Sequence, residues 1–249
     1  MKKALLWFVA AVLAVPAAFA QNDSAAQAAA QKALGGSRFK DVHVSVQNGM
    51  ATLTGSVDVY AAKMNADQKI RHVKGVSAVR DQIQVAGTEI PDQTLQEKLQ
   101  NTIAYSLEGY VPVAFQAISV QVHNGVVLLG GHAAGPIAAS DAVAAVANTK
   151  GVKDMIDDIQ IDPVSPMDEQ IRFAVYRKVY GFPTLNKYAI NPVQPIRIQV
   201  ANGHVTLYGV VDSEADKNVA GIQANSVANV FSVTNDIQVA GSSSEKPSK

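Results

Sequence analysis

The sequence contains no cysteine, and its single tryptophan is Trp7. Disulfide bonds, thiol catalysis and cysteine-ligated metal centres are therefore excluded. Basic and acidic side chains balance at 21 each, so the chain lacks the positive charge that is typical of nucleic-acid-binding proteins. After Val15 no apolar run approaches the roughly 20 residues that cross a membrane as a helix. The composition favours a protein that is stabilised by side-chain packing.

The N-terminal residues have the composition of a secretory signal peptide. Lys2 and Lys3 form a basic start, residues 4–15 form an apolar core, and Ala18-Phe19-Ala20 has the small residues of a cleavage site. The sequence therefore predicts removal of residues 1–20 and export of a chain that begins at Gln21. Loss of the two lysines leaves the exported chain slightly acidic.

The same hairpin pattern occurs three times. Apolar residues alternate with other residues before an Asn-Gly pair, and a second strand after the pair ends in glycine. Side chains of a strand alternate between two faces, and Asn-Gly favours a tight turn with positive φ. The segments are VHVSVQNGMATLTG from Val42, ISVQVHNGVVLLGG from Ile118 and IRIQVANGHVTLYG from Ile196.

A helix and a further strand follow each hairpin at matched spacing. Gly75, Gly151 and Asn229 each lie twenty residues after the glycine that ends their hairpin, and these residue types end helices in the left-handed conformation. Helical patterns also precede the hairpins: Ser24–Leu34, a segment with Asp92 as its N-cap, and Pro166–Tyr180. The positions that we expect at turns or left-handed conformations are Asn48, Gly49, Gly55, Gly75, Asn124, Gly125, Gly131, Gly151, Asn202, Gly203, Gly209 and Asn229.

These repeats predict an α+β protein with three tandem α-β-β-α-β units, each a small three-stranded mixed sheet covered by two helices. We expect a signal peptide at residues 1–20 and the three units at residues 21–87, 88–163 and 164–240. Residues 241–249 are polar, and their composition predicts a disordered tail. The segments 87–91 and 162–166 are predicted to be linkers.

The complete pattern consists of a strand, Asn-Gly, Val-x-Leu-x-Gly, an alanine-rich helix, Gly-Val and Ile-x-Val. This pattern resembles the BON domain, which is named after bacterial osmotically inducible and nodulation-related proteins. The resemblance implies a non-catalytic protein without cofactors, either free in the periplasm or peripheral to the outer membrane. It also implies a role in envelope integrity or protection from osmotic stress. The implied partners are anionic phospholipid headgroups or envelope proteins. In some relatives the first helix of one unit contacts anionic phospholipid.

The first helix of the third unit and the loop after it combine aromatic and basic side chains. Such a surface suits contact with lipid headgroups or a partner, and it equally suits packing between units. Both interpretations stay open at this stage. The candidate binding residues are Arg172, Phe173, Tyr176, Arg177, Lys178, Tyr180 and Phe182.

Histidine and acidic residues give little support for catalysis or metal binding. None of the five histidines recurs at the same position in two units, and the spacing of a zinc motif is missing. Asp154, Asp157 and Asp158 form an acidic cluster that suits either a cation or the charged edge of a strand. We predict no metal site, no nucleic-acid binding and no enzymatic activity. The alternative functions are a periplasmic protein-protein scaffold or stress-protective binding protein and, less favoured, a potassium or calcium binder.

Overall fold

The computed structural model describes residues 17–87, 89–107, 112–163, 165–191 and 194–241, with side chains from Asp23 onward. The predicted apolar core of the signal peptide and all but the first residue of the predicted tail lie outside these ranges. The chain divides into two compact units: one contains the first copy as far as Gln84 except Asp58–Ala61, and the other contains those four residues with the second and third copies. Every helix in the described ranges is too short or too polar to cross a membrane.

The first copy contains two helices and one mixed sheet. Its elements are α1 (Ala17–Ala33), a short 3-10 helix (Ser37–Phe39), β1 (Val42–Gln47), β2 (Met50–Val57), α2 (Tyr60–Arg71), β3 (Ala78–Asp81) and β4 (Gln84–Val85). The central strand is β2, which pairs antiparallel with β1 and parallel with β3. Thus the hairpin and the crossover through α2 share one strand, as the repeat pattern predicts.

The second and third copies repeat this arrangement. The second copy contains α3 (Asp92–Ser106), a 3-10 helix (Val113–Phe115), β5 (Ala117–His123), β6 (Val126–Ala133), α4 (Pro136–Ala147), β7 (Asp154–Asp157) and β8 (Gln160–Ile161). The third contains α5 (Pro166–Tyr180), α6 (Asn186–Ala189), β9 (Ile196–Ala201), β10 (His204–Val211), α7 (Glu214–Asn225) and β11 (Ser232–Val239). The α+β class and the order of the elements are confirmed, and the predicted helix Pro166–Tyr180 coincides with α5.

Each core lies between one face of the sheet and the two helices. In the second copy Leu95 and Leu99 of α3, Val127 and Leu129 of β6, and Val146 of α4 are fully buried together. The alternation of buried and exposed residues along β6 follows the period of two that the sequence shows. The cores of the second and third copies are stabilised by apolar burial, as expected for a chain without cysteine.

The last strand of the first two copies is interrupted, which the sequence did not predict. Asp81 accepts a hydrogen bond from the N–H of Ile83 at 2.8 Å, and Asp157 accepts one from Ile159 at 3.1 Å. Such a side-chain bond to the backbone two residues later bends the chain. The first and second sheets therefore contain four strand segments, whereas β11 of the third copy is continuous.

All twelve residues that we expected at turns or left-handed conformations have positive φ. At Gly209, φ is +118°, and an added Cβ would collide with the carbonyl oxygen of Pro195, just before β9. The backbone of the neighbouring strand therefore approaches so closely that only glycine fits.

Candidate functional site

An aspartate in the first helix of each copy binds the Asn-Gly turn of the following hairpin. Its two carboxylate oxygens accept one hydrogen bond each from the backbone N–H groups of the Asn and the Gly. The distances are 2.6 and 3.0 Å for Asp23, 2.7 and 3.0 Å for Asp92, and 2.9 and 2.7 Å for Asp168. We call these residues the clamp aspartates, because each fixes a helix to a hairpin.

The predicted role of Asp92 as an N-cap is wrong. Pro91 occupies the N-cap position, and Asp92 lies in the first turn of α3. Hydrogen bonds from the backbone of Asn124 and of Gly125 lower the pKa of the Asp92 carboxyl. In the third copy Ser165 caps α5 by accepting from the N–H of Asp168, which leaves the Asp168 carboxylate to the turn. An Asp in the first helix of each copy, 25, 32 and 34 residues before the Asn of the turn, was the signal that sequence reasoning missed.

Four residues after the clamp aspartate, the same helix binds the outer edge of the first strand. The Gln27 side chain donates to the carbonyl of Val44 at 2.8 Å and accepts from the N–H of Val46 at 2.7 Å. In the third copy Arg172 donates to the carbonyl of Val200 at 3.1 Å. Both side chains satisfy backbone groups that an edge strand otherwise leaves unpaired.

The seven candidate residues of the third copy separate into buried and exposed groups. Arg172 and Tyr180 are only 6 % and 4 % exposed, so direct contact with a lipid surface does not fit these two side chains. Phe182 is half-buried in the third core. Arg177 and Lys178 are exposed.

Phe173 and Tyr176 pack on Phe115 of the second copy. Their ring centroids lie 4.9 and 5.7 Å from that of Phe115, at edge-to-face angles of 84°. This geometry is favourable for aromatic pairs. The aromatic stripe therefore forms an interface between the second and third copies, as one of the two sequence interpretations expected.

A buried polar cluster surrounds Asp162, which the sequence placed in a linker. Asp162 is 3 % exposed, and its Oδ1 lies 3.1 Å from Nδ1 of His132 and 2.9 Å from the Gln199 amide that donates to it. A guanidinium nitrogen of Arg172 lies 3.7 Å from Oδ2. Burial lowers the pKa of the Arg172 guanidinium, and the Asp162 carboxylate opposes that shift. The segment thus joins the second and third copies through polar contacts.

A groove of about 860 Å³ lies beside this cluster, between α3 with β5 on one side and the third sheet on the other. Ile103, Leu107 and Ile118 give its first wall an apolar character, and Arg197 and Tyr208 line the opposite wall. The Arg197 guanidinium donates to the carbonyl of Val113, and burial lowers its pKa. Across the described ranges Arg197 makes no ion pair.

Gln116, which is 3 % exposed, also lines the groove. Its side-chain oxygen accepts from the N–H of Ala134 at 3.0 Å, whereas its amide nitrogen has no hydrogen-bond partner among the described residues. A buried donor without a partner is unfavourable by about 1–3 kcal/mol. Arg197 is therefore the cation that the groove offers to a ligand with oxygen atoms, beside this buried amide, and Asp236 lines the same wall.

Two aspartates of the acidic cluster in the second copy accept local hydrogen bonds from the backbone. Asp157 bends the last strand, and Asp154 accepts from the N–H of Met155 at 2.9 Å. Within the described part of the chain, no three histidine or acidic side chains are grouped in a way that could hold a metal ion.

The solved structures that are similar to this chain include two of CdsD, a structural protein of the type III secretion system of Chlamydia trachomatis. One is 15 % identical, with 85 % of this chain and 90 % of that chain covered and a TM-score of 0.25. The other, the C-terminal domain, is 16 % identical, with 85 % and 96 % covered and a TM-score of 0.24. Such low TM-scores carry no argument about fold or function. No curated protein matches the chain.

Three segments of the chain match one family model. The model of the BON domain matches residues 22–87, 91–163 and 184–241. The third match begins after α5, yet α5 carries the clamp aspartate and lies along β9 as the first helices of the other copies lie along β1 and β5. The chain therefore belongs to the BON domain family and contains three tandem copies of the domain.

Proposed function

We propose that this protein is a non-catalytic binding protein of the cell envelope that contacts anionic phospholipid headgroups through Arg177 and Lys178. BON domains are associated with the envelope and with binding of lipid or protein. The observation that carries the proposal is a pair of adjacent, exposed cations in the last turn of α5 that make no ion pair within the described ranges. They border a shallow depression of about 410 Å³.

The contrast with Lys187 supports the choice of these two residues. The Lys187 ammonium lies 2.8 Å from the carboxylate of Asp212 and 3.0 Å from that of Asp216, so its charge is neutralised locally. Unpaired Arg177 and Lys178 keep their full attraction for a negative surface, which is about 1 kcal/mol for each basic residue. Their long apolar stems also suit the boundary between headgroups and water. We further propose a periplasmic position at the outer membrane and a role in envelope integrity under osmotic stress.

Flotation with liposomes tests the proposal. The protein should float with phosphatidylglycerol vesicles at low salt, and added salt should release it because charge attraction is screened. Arg177→Glu with Lys178→Glu removes two attractions of about 1 kcal/mol each, so binding should fall at least roughly 30-fold. The matched control is Lys69→Glu with Lys74→Glu, which makes the same charge change at exposed positions of the first copy. Absence of flotation at low salt, or an equal loss in both double variants, would contradict lipid binding.

A protein partner is the second candidate, and one surface of the second copy favours it. Leu128 and Ile156 are neighbours across β6 and β7, and they are 38 % and 57 % exposed. The corresponding pairs are Thr52 with Arg80 in the first copy and Thr206 with Thr234 in the third. An apolar pair where the sister sheets are polar is typical of a contact surface. Photo-cross-linking in cells from position 128, with position 206 as the control, should capture an envelope protein only from position 128.

A further inference from the structure

The outer edge of the first strand is covered in the third copy but open in the second. The hydroxyl of Tyr180 donates to the carbonyl of Ile196 at 2.7 Å and accepts from the N–H of Ile196 at 3.0 Å. Arg172 binds the same edge four residues further on, at the carbonyl of Val200. The N–H and carbonyl of Ile196 thus point away from β10 and are satisfied by α5.

The equivalent groups of β5 have no such partners. Ile118 stands six residues before the Asn-Gly turn, as Ile196 does, and Val120 follows it on the same edge. Among the described residues the only side-chain hydrogen bond from α3 to this edge is Gln96 accepting from the N–H of Val122 at 3.3 Å. The outward N–H and carbonyl groups of Ile118 and Val120 therefore line the groove without a side-chain partner.

One residue difference explains the opening. Tyr180 lies twelve residues after the clamp aspartate of α5, and the residue twelve after the clamp aspartate of α3 is Ala104. Alanine is too short to reach the strand, so the space that a tyrosine ring fills in the third copy belongs to the groove in the second. An edge strand with free backbone groups is a template for pairing with another strand.

We propose that this groove binds an extended segment of another protein, which adds to β5 as a further strand. Its backbone pairs with Ile118 and Val120, and an apolar side chain packs on Ile103 and Leu107. An acidic side chain or a C-terminal carboxylate binds Arg197, whose charge has no partner in the described chain.

The dimensions of the site fit such a ligand. Neighbouring strands lie about 4.8 Å apart, so an added strand would lie along the groove wall that α3 and β5 form. Strands of about five or six residues are typical, and a segment of that length reaches both open residues of β5. Arg177 and Lys178 do not line this groove, so its occupancy is independent of the lipid contact proposed above.

Titration with synthetic peptides, followed by amide NMR of the full exported chain, tests the proposal. The probe is a peptide of about six residues with alternating valine and threonine and a free C-terminal carboxylate. Its twin carries N-methyl groups on alternate amides, which removes the hydrogen bonds of strand pairing without changing the side chains. The first peptide should shift the amide resonances of Ile118 and Val120, and the methylated twin should not. Equal shifts with both peptides, or none with either, would refute strand addition.

A variant of the groove provides a second test. Ala104→Tyr supplies the ring that α5 carries at the equivalent position, so it should cover Ile118 and weaken peptide binding at least about tenfold. The matched control is Ala144→Tyr, which adds the same ring at an exposed position of α4 away from the groove. If Ala104→Tyr binds the peptide as well as the control does, the groove is not the site. If dispersed short-chain phosphatidylglycerol shifts Ile118 and Val120 and the peptide does not, the groove is a lipid site and the proposal is wrong.

Discussion

Replacement of Asp168 by alanine should destabilise the third copy by roughly 3 kcal/mol. Asp168 is 2 % exposed and accepts hydrogen bonds from the N–H groups of Asn202 and Gly203 at 2.9 and 2.7 Å. Asn202 is exposed, so water can replace the carboxylate there, whereas the N–H of buried Gly203 would lose its partner. An unsatisfied buried donor accounts for about 1–3 kcal/mol, and loss of a charge-assisted bond adds to it. Asp168→Asn should lose less, because one amide oxygen remains as an acceptor.

Two measurements separate this effect from general loss of the fold. If the second and third copies unfold together, the midpoint of thermal unfolding should fall by roughly 6–12 °C, since a unit of about 150 residues shifts 2–4 °C per kcal/mol. Circular dichroism is the suitable signal, because the exported chain is predicted to lack tryptophan. Native-state hydrogen exchange at the Gly203 amide should accelerate about 100-fold, which reports the local contact directly.

The control for Asp168 is its neighbour Glu169. Glu169→Ala removes an exposed first-turn charge whose interaction with the helix dipole contributes less than about 1 kcal/mol. Both variants remove a carboxylate from the first turn of α5, and only the buried carboxylate of Asp168 binds the hairpin turn. The clamp would be refuted as a stabilising contact if the unfolding midpoints of Asp168→Ala and Glu169→Ala lay within about 1 °C of each other. Such a difference corresponds to roughly 0.5 kcal/mol or less in the free energy of unfolding.

Two further predictions concern acid and the hairpin. Two backbone hydrogen bonds lower the pKa of the Asp92 carboxyl, so its contribution to stability is complete above the unfolded-state pKa of about 3.9 and is lost as the pH falls through the folded-state pKa. In urea titrations, the difference in stability between the native protein and Asp92→Asn should therefore shrink below about pH 4. A difference that is constant with pH would contradict this prediction. Gly209→Ala should destabilise the third copy by more than about 2 kcal/mol, because the φ of +118° and the carbonyl of Pro195 leave no room for a Cβ. The control is Gly130→Ala, whose Cβ meets only the Ser119 hydroxyl at 3.4 Å. Its thermal unfolding, followed by circular dichroism, should have the same midpoint as that of the native protein.

Local chemistry made the hairpins predictable from the sequence. The Asn-Gly pairs and the glycines that end the second strands impose their backbone conformation within a few residues, so three copies of one pattern gave the order of the elements. The break in the last strand was also encoded locally, by Asp81 and Asp157 two residues before an isoleucine. In the second copy it escaped prediction because Asp157 is explained equally well as a charge on the edge of a strand.

Contacts between distant residues were not predictable in this way. The clamp aspartates lie 25, 32 and 34 residues before the asparagines they bind, and a first-turn carboxylate has simpler explanations as a cap or a partner of the helix dipole. The candidate residues of α5 show the same limit. A helix with apolar and basic residues around most of its circumference looks alike whether it meets another domain or a membrane, and only the position of Phe115 assigns Phe173 and Tyr176 to the interface between copies.

The side chains that α1 and α5 extend across β1 and β9 bear on how a chain of repeated domains avoids aggregation. Three short sheets in tandem are at risk of joining edge to edge, either within one molecule or between molecules, and the risk grows with every duplication. A domain whose own first helix covers one edge of its sheet limits the risk of aggregation, and it needs no neighbouring domain for this protection. Such copies can be added to or removed from a chain one at a time. A copy in which part of the strand edge is left uncovered, as beside Ala104, is a suitable place for binding specificity to evolve.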